Sequence, residues 1–331
     1  MQRKETFIGI DVSKETLDVA VSGSLHHIRI TNGADGFKQL QAWLKALKIS
    51  LENCWFVFEH TGGYEYRLVQ FCISKSIRFT RFAGVEIKRS MGIQRGKSDK
   101  VDSKRIADYG YEKREKMIPE KPGSAAILRI KQLMTQREGF IKDKKANEHR
   151  VKELLSMMDF KNSDMIIRNY RMAVAFAQKM IERTEQAIKE EIERDDALKN
   201  TYELLISIPG IGNVNAWLTI AFTENFTRFD SARKYGSYCG VVPFDYSSGK
   251  SIKKKSRVHF MANKDLKAKL DMAAMAAITH DKEIKEYYDR RKALGKHHNS
   301  IKNEIKFKLV LRMFAVVKKQ QKYVDNYKIA A

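Results

Sequence analysis

Short segments in which apolar and polar residues alternate fill the N-terminal part of the chain, and stretches with a helical period separate them. On β-branched content and alternation, strands are expected at 6–12, 16–22, 26–31, 54–59 and 77–82. Helices are expected where apolar residues recur on one face, at 35–48 and 64–74. The first three strands follow one another directly, which predicts an antiparallel meander. The order βββαβαβα predicts a mixed α/β domain.

Long charged stretches with few helix breakers follow this domain. Pro119, Pro122 and Gly123 mark the boundary, and residues 125–160 and 165–199 both carry a narrow apolar face at helical spacing. Paired helices or a coiled coil that joins two copies of the chain would explain such a face. An antiparallel hairpin packed on the core explains it equally well, so the pattern leaves both interpretations open.

The last part of the chain, from about Tyr202, combines apolar helical segments with glycine-containing turns. Helices are expected at 231–239, 265–278 and 301–320, with a loop at 240–249 and a basic segment at 250–257. The chain is therefore divided into an α/β domain at 1–118, a helical region at 119–200 and a mainly helical C-terminal domain at 201–331.

The charge of the chain points to its partner. Lysine and arginine total 63 against 40 acidic residues, a net charge of +23 that is spread over all 331 residues. Such a protein attracts polyanions, which predicts a nucleic-acid partner. Three widely spaced cysteines argue against a disulfide framework and a cysteine zinc site. Without a long apolar run or a signal-peptide pattern, we expect a cytosolic protein with no membrane partner.

Four carboxylates from three segments are the strongest candidates for catalysis. Asp11 ends the first strand, and Glu59 ends a later strand before a glycine turn. Asp99 and Asp102 are three residues apart, so they share a face at the start of a helix. Carboxylates gathered in this way repel one another unless a cation neutralises them, and hard cations such as Mg²⁺ or Mn²⁺ prefer oxygen ligands. Two ions held by this set would bridge a scissile phosphate.

Three of these acids also have a structural explanation. Asp11 would cap a turn, while Asp99 would cap a helix with Asp102 in its first turn, where the dipole favours negative charge. Asp18 and Asp108 are weaker candidates, because Asp18 lies in the middle of a strand and Asp108 faces another side of its helix. The set as a whole, in its strand and helix order, favours the metal site.

A serine beside a glycine in a basic segment is a candidate nucleophile. Ser248 directly precedes Gly249 in the loop expected after Pro243, where glycine frees the backbone to expose a hydroxyl. Positive side chains that could hold a phosphate follow at Lys250, Lys253, Lys254, Lys255 and Arg257. A serine that attacks a phosphodiester would conserve the bond energy in a phosphoserine link. A flexible loop also explains the segment, and chemistry alone does not separate Ser248 from Ser247.

The sequence Ile-Ser-Ile-Pro-Gly-Ile-Gly-Asn at 206–213 is typical of a helix–hairpin–helix turn. Gly210 and Gly212 would let backbone N–H groups approach a phosphate at the start of the next helix. A simple corner between two helices is the alternative.

Together these motifs resemble the DEDD-type insertion-sequence transposases, the family also described as bridge-RNA-guided recombinases, which includes the pilin-gene invertases. The matching pieces are F-I-G-I-D at 7–11, E-x-T-G at 59–62, K-S-D-x-x-D-S-x-x-I-A at 97–107, I-P-G-I-G at 208–212, G-x-x-P-x-x-Y-x-S-G at 240–249, S-R at 256–257 and L-K-x-x-L at 266–270. The resemblance covers essentially the full chain, and the combination is far more specific than any one piece.

The resemblance implies an RNase H-like (RuvC-like) N-terminal domain, a central coiled coil and a C-terminal transposase domain. It implies that Asp11, Glu59, Asp99 and Asp102 are the metal-binding tetrad, and it selects Ser248 over Ser247 as the nucleophile. It further implies donor and target DNA as substrates, a structured noncoding RNA that pairs with both, and a tetramer in which one subunit's tetrad acts with another's serine.

The chain departs from the family pattern at four positions. Lys254 and Ala262 stand where glycines are usual, Phe260 replaces a lysine, and Lys267 replaces the arginine of the last helix motif. The change at Ala262 affects a local turn, and the change at Phe260 removes a candidate phosphate contact. None of these departures falls on the tetrad or on Ser248, so activity is still expected.

Three functions fit these observations to different degrees. A serine recombinase-transposase uses the tetrad and Ser248 together, whereas a RuvC-type nuclease would attack with water and make Ser248 dispensable. A non-catalytic RNA- or DNA-binding scaffold would need neither. The intact tetrad and serine favour the recombinase, and a covalent protein–DNA adduct would separate it from the nuclease.

Overall fold

The structure is a computed structural model that describes residues 5–90, 99–120, 124–248 and 252–324, with the backbone alone described at 245–248 and 252–256. The chain forms two compact units, Met1–Pro122 and Gly123–Ala331. The helical stretches that follow Pro122 therefore belong to the same unit as the C-terminal helices. Each unit is described by itself.

A five-stranded mixed sheet forms the centre of the first unit. Its strands are β1 (Thr6–Val12), β2 (Thr16–Val21), β3 (His27–Thr31), β4 (Cys54–Glu59) and β5 (Arg78–Phe82). The order is β3-β2-β1-β4-β5. The first three strands form the predicted antiparallel meander, and β1, β4 and β5 run parallel. Four helices belong to this unit: α1 (Ala34–Ala46), α2 (Tyr66–Ser74), α3 (Gly84–Ser90) and α4 (Asp99–Lys113). The mixed α/β fold class is confirmed.

The central strands are apolar on both faces because helices cover both faces. Ile8 and Ile10 of β1 belong to one buried cluster, and Phe7 of the same strand belongs to a second cluster with Ile106 and Tyr109 of α4. The sheet is therefore buried on both sides at the strand that carries Asp11.

Glycines let α4 lie directly on the sheet. A Cβ added at Gly9 of β1 would stand 2.2 Å from the Ala107 nitrogen and 2.2 Å from the Ser103 oxygen, both backbone atoms of α4. One turn further on, a Cβ at Gly110 would stand 2.6 Å from Cγ2 of Val57. Only glycine permits this approach, so the position of α4 depends on these two residues.

The second unit is mainly helical. Its elements are α5 (Ala125–Met157), α6 (Met165–Glu193), α7 (Asp196–Ile206), α8 (Asn213–Thr223), α9 (Ala232–Tyr238), β6 (Phe244–Ser248), β7 (Ile252–Arg257), α10 (Lys264–His280), α11 (Lys282–Ala293) and α12 (His298–Lys319). The long helices α5 and α6 pack against each other as a hairpin. Residues at its base, including Ile130 and Ile188, are buried in the core formed with α7 to α12.

Three elements differ from the sequence expectations. The stretch 165–199 is interrupted because the Asp195 carboxylate accepts hydrogen bonds from the Ala197 and Leu198 backbone, which caps a new helix. Helix α11 was not predicted; its only fully buried residue is Ile284, so it lacks a clear apolar period. The expected loop at 240–249 contains strand β6, whose partner β7 supplies its backbone hydrogen bonds.

No described helix has both the length and the apolar character needed to cross a lipid bilayer.

Candidate active site

The first two acids emerge at the same edge of the sheet. Ile10 of β1 is the register partner of Phe58 of the parallel strand β4, and Asp11 and Glu59 each follow by one residue. Neighbouring parallel strands present their carboxyl ends together, and this edge is where open α/β sheets carry their sites. The register therefore places Asp11 beside Glu59.

Helix α4 brings the other two acids to this edge. It begins at Asp99 and carries Asp102 in its first turn, and its approach at Gly9 places that turn near the end of β1. Burial, and then the neighbouring charges of Asp99, Asp102, Glu59 and Asp18, raise the pKa of Asp11 to about 6. The charges that act on Asp11 include those of the other three candidate acids, so these acids lie near it.

Basic partners hold two of these acids. The Arg29 Nη2 atom lies 3.1 Å from an Asp99 carboxylate oxygen, and the Arg105 Nη1 atom lies 2.9 Å from an Asp102 oxygen. Asp99 is the more exposed of the two, with 47% of its side chain accessible against 27% for Asp102. Both carboxylates can therefore turn from their arginines towards a ligand that arrives from solvent.

Glu59 is positioned by a glycine. Its Oε2 atom lies only 2.3 Å from the point that a Cβ on Gly84 would occupy. Gly84 begins the short helix α3, which is separated from strand β5 by one residue. A side chain at this position would push the Glu59 carboxylate away from the edge of the sheet.

Asp18 is part of the site without being available as a ligand. It is the register partner of Asp11 on β2 and is only 4% exposed. His27 lies 2.9 Å from one of its oxygens, and Arg29 lies 3.4 Å from the other. Arg29 thus bridges Asp18 and Asp99. The sequence analysis did not identify Arg29, although opposite charges at neighbouring strand positions were a signal that could have found it.

A second residue that the sequence analysis missed fixes the loop after Glu59. Glu65 is 5% exposed, and its carboxylate accepts hydrogen bonds from the Gly63 nitrogen at 2.9 Å and from the Thr61 hydroxyl. Burial works against its ionised form, but hydrogen bonds from His60, Thr61 and the Gly63 backbone outweigh it and hold the pKa of Glu65 well below its usual range. The glycine turn is therefore anchored from within.

The chemistry of the tetrad fits a divalent cation. Its donors are all carboxylate oxygens, which hard cations prefer, and a cation would relieve the repulsion recorded at Asp11. Among the described residues, no three His, Cys, Asp or Glu side chains are yet arranged to hold an ion together. Asp99 and Asp102 bind arginines, and each would have to exchange its arginine for the cation.

The segment with the candidate serine is a hairpin. Ser248 is the last residue of β6 and pairs with Ile252 of β7, while Ser247 pairs with Lys253. Lys254 pairs with Tyr246, and the exposed Arg257 ends β7. Lys250 lies outside the described residues. Ser248 thus stands where the chain turns from one strand towards the next.

The two glycines of the 206–213 turn have different surroundings. Gly210 has a φ of +89°, and an added Cβ would stand 2.7 Å from the Ala273 oxygen of α10. The glycine at this position is therefore required by packing within the unit. Gly212 precedes α8 with no atom within 4 Å of an added Cβ, so its side of the turn is open to a ligand.

Comparisons with known proteins find similar sequences among transposases and gene-inverting proteins. Residues 8–158 match the family model of the IS110-type DEDD transposases, and residues 202–289 match that of the IS116/IS110/IS902 transposase family. The pilin gene-inverting proteins of Moraxella bovis and Moraxella lacunata are each 27% identical over 325 residues, which is 96% of this chain and 98% of theirs. An uncharacterized 43.6 kDa protein of insertion element IS110 from Streptomyces coelicolor is 30% identical over 35% of this chain and 28% of its own length.

The RNase H-like mixed sheet and these matches support an enzyme that acts on DNA, a transposase or recombinase. Both matches are to transposases of the IS110 group, so the chain is similar to that family along residues 8–158 and 202–289. The DEDD transposase family implies dependence on a divalent metal ion.

Proposed function

We propose that the protein is a site-specific recombinase-transposase that cuts donor and target DNA and rejoins the strands through a phosphoserine intermediate. The observation that supports the proposal is the strand register that puts Asp11 beside Glu59, with Asp99 and Asp102 in the first turn of α4. The raised pKa of Asp11 agrees with this arrangement. A group of acids whose mutual repulsion raises the pKa of one member is typical of a functional site.

In this proposal the tetrad holds Mg²⁺, with Mn²⁺ as a substitute. The ions would neutralise the charge that develops on the scissile phosphate. Arg29 and Arg105 keep Asp99 and Asp102 ordered before loading. Because all four side chains sit on strand ends or on a helix fixed by Gly9, the donor positions are set by the fold.

Ser248 supplies the nucleophile. Its hydroxyl would lose its proton as the oxygen bonds to the phosphorus, while the bond from phosphorus to one sugar oxygen breaks. The departing sugar oxygen would take up a proton and become a hydroxyl. The link to serine conserves the phosphodiester energy, so a sugar hydroxyl of another strand can reverse the step and free the serine. The place of Ser248 at the end of β6 supports this role. The open Gly212 side of the α8 turn, together with Lys250, Lys253, Lys254, Lys255 and Arg257, would contact the phosphate backbone.

The proposal includes a guide RNA and an oligomer. A structured noncoding (bridge) RNA would pair with donor and target, so that base pairing selects the sequence. The functional form would be a dimer of dimers in which tetrad and serine come from different subunits. The relatives named as gene-inverting proteins support inversion as one reaction of such an assembly.

Covalent trapping tests the nucleophile. Wild type, Ser248→Ala, Ser247→Ala and Asp11→Ala would be incubated with Mg²⁺, the flanking RNA and end-labelled DNA, then separated under denaturing conditions. We expect an adduct with wild type and with the matched control Ser247→Ala, and none with the other two variants. Cleaved DNA without an adduct, unaffected by Ser248→Ala, would instead establish a nuclease that attacks with water.

Mixing tests the oligomer. Asp11→Ala and Ser248→Ala proteins would be inactive alone, and combining them before adding DNA should restore some adduct if the two residues act from different subunits. Absence of restoration in mixed oligomers, verified by differently tagged subunits, would refute this part of the proposal. Omitting the RNA should abolish sequence-specific cleavage.

A further inference from the structure

A cluster of lysines lies partly buried between α10 and α12 of the second unit. Lys306 has only 7% of its side chain exposed and Lys302 only 13%. Both bind the same carboxylate, with Asp271 oxygens at 2.6 Å from Lys306 and 2.9 Å from Lys302. Asp271 therefore binds two lysines, one at each carboxylate oxygen.

Lys267 is the third lysine of this cluster. Burial and then the positive charge of Lys306 lower its pKa, against the smaller opposing effect of Asp271. Within the described residues it forms no ion pair, although Asp271 stands four positions later on the same helix. Among the described residues, the cluster thus holds three lysines and one aspartate. Its positive charge exceeds its negative charge in a partly buried position, where an unpaired charge is costly.

The cluster lies at the base of the β6–β7 hairpin. A Cβ on Gly240, shortly before β6, would stand 3.6 Å from Cδ of Lys267 and 3.2 Å from Cγ1 of Val258, which directly follows β7. The Asn303 side chain of α12 donates a 2.8 Å hydrogen bond to the Val241 oxygen. Helices α10 and α12 therefore support the entry to the hairpin, with Lys267 beside it.

We infer that Lys267, backed by Lys302 and Lys306, forms a binding subsite for a non-scissile phosphate of the DNA backbone. Among the described residues Lys267 has no ion-pair partner, so partly burying its charge costs free energy on folding. A phosphodiester would supply the missing negative charge. The inference rests on the proposed function in one respect, because it takes Ser248, at the other end of β6, as the residue that attacks the scissile phosphate. Four residues of strand span about 13 Å, so the subsite would hold a phosphate several nucleotides from the cut. This location favours DNA over RNA as the ligand.

Methionine at Lys267 tests the inference, because it keeps the stem of the side chain and removes the charge. The probes are a short DNA duplex and an RNA duplex of equal length, titrated by fluorescence anisotropy over a range of salt concentrations. For Lys267→Met we expect DNA affinity about tenfold lower and a salt dependence shallower by about one phosphate contact. Lys267→Arg should bind like wild type.

Two controls separate binding from folding. Lys318→Met makes the same charge change at an exposed position in the last turn of α12, and its DNA affinity should stay near that of wild type. Lys267→Met should melt at or above the wild-type temperature, since it removes an uncompensated charge.

Three results would overturn the inference: equal DNA affinity for Lys267→Met and Lys318→Met, a lower melting temperature for Lys267→Met, or a loss confined to the RNA probe. Because binding is measured without cleavage, a failure of the serine adduct would leave this result intact.

Discussion

Replacing Asp11 by asparagine should stabilise the metal-free protein while abolishing DNA cleavage. The pKa of Asp11 is raised from 3.8 to about 6, so keeping this group ionised in the folded state costs roughly 3 kcal/mol at most at neutral pH. The asparagine side chain keeps the shape of the aspartate and removes its charge. Partial exposure of the site screens the repulsion, so we expect a gain of about 1–3 kcal/mol.

The pH dependence fixes the sign of this prediction. A raised folded-state pKa means that the folded protein binds the proton more tightly than the unfolded chain between the two values of 3.8 and about 6. Wild type therefore loses this stability as pH rises through about 6, while Asp11→Asn does not. Urea unfolding in a chelator should show no difference near pH 4 or below and the full difference at pH 8.

Added Mn²⁺ should make wild type more stable to unfolding than Asp11→Asn, because only wild type retains the complete carboxylate set. A metal-free Asp11→Asn protein that is less stable than wild type at pH 8 would refute the reasoning. A stability difference that stays constant from pH 4 to pH 8 would do the same, since titration of Asp11 would then not be its cause.

The remaining predictions concern the glycines and the metal. Gly9→Ala should lower the free energy of unfolding by about 1–3 kcal/mol and abolish cleavage, because backbone atoms of α4 stand 2.2 Å from the new Cβ. The control Gly139→Ala lies in open space on α5 and should raise the free energy of unfolding by about 0.5–1 kcal/mol. Equal effects of the two substitutions would contradict the packing argument. Gly84→Ala should change the melting temperature little, because the flexible Glu59 carboxylate can move away from the new Cβ. It should reduce cleavage about 100-fold, because that movement displaces Glu59. Unchanged activity would exclude Glu59 as a positioned ligand. Excess chelator should stop cleavage and added Mn²⁺ restore it, so full activity in chelator would rule out the metal site.

The strands of the first unit could be predicted because their signals are local. Alternation and β-branched residues mark each strand, and acids at the ends of β1 and β4 follow from the same pattern. The hairpin at β6 was not predicted, because its partner strand and not its own sequence decides its conformation. Helix α11 was missed for a related reason, since a charged surface helix shows little apolar period.

The sequence by itself determined the fold class, the family and the residues that could form a tetrad, because periodicity, strand ends and motif spacing are all written along the chain. Only the tertiary structure decided what surrounds those residues: Arg29 reaches Asp99 from a strand 70 positions away in sequence, and Asp18 faces Asp11 through strand register. The same holds for Lys267, because Asp271, four positions later, meets Lys302 and Lys306 only once α10 and α12 lie together. Charge–charge energies depend on distances between side chains, and folding alone sets those distances.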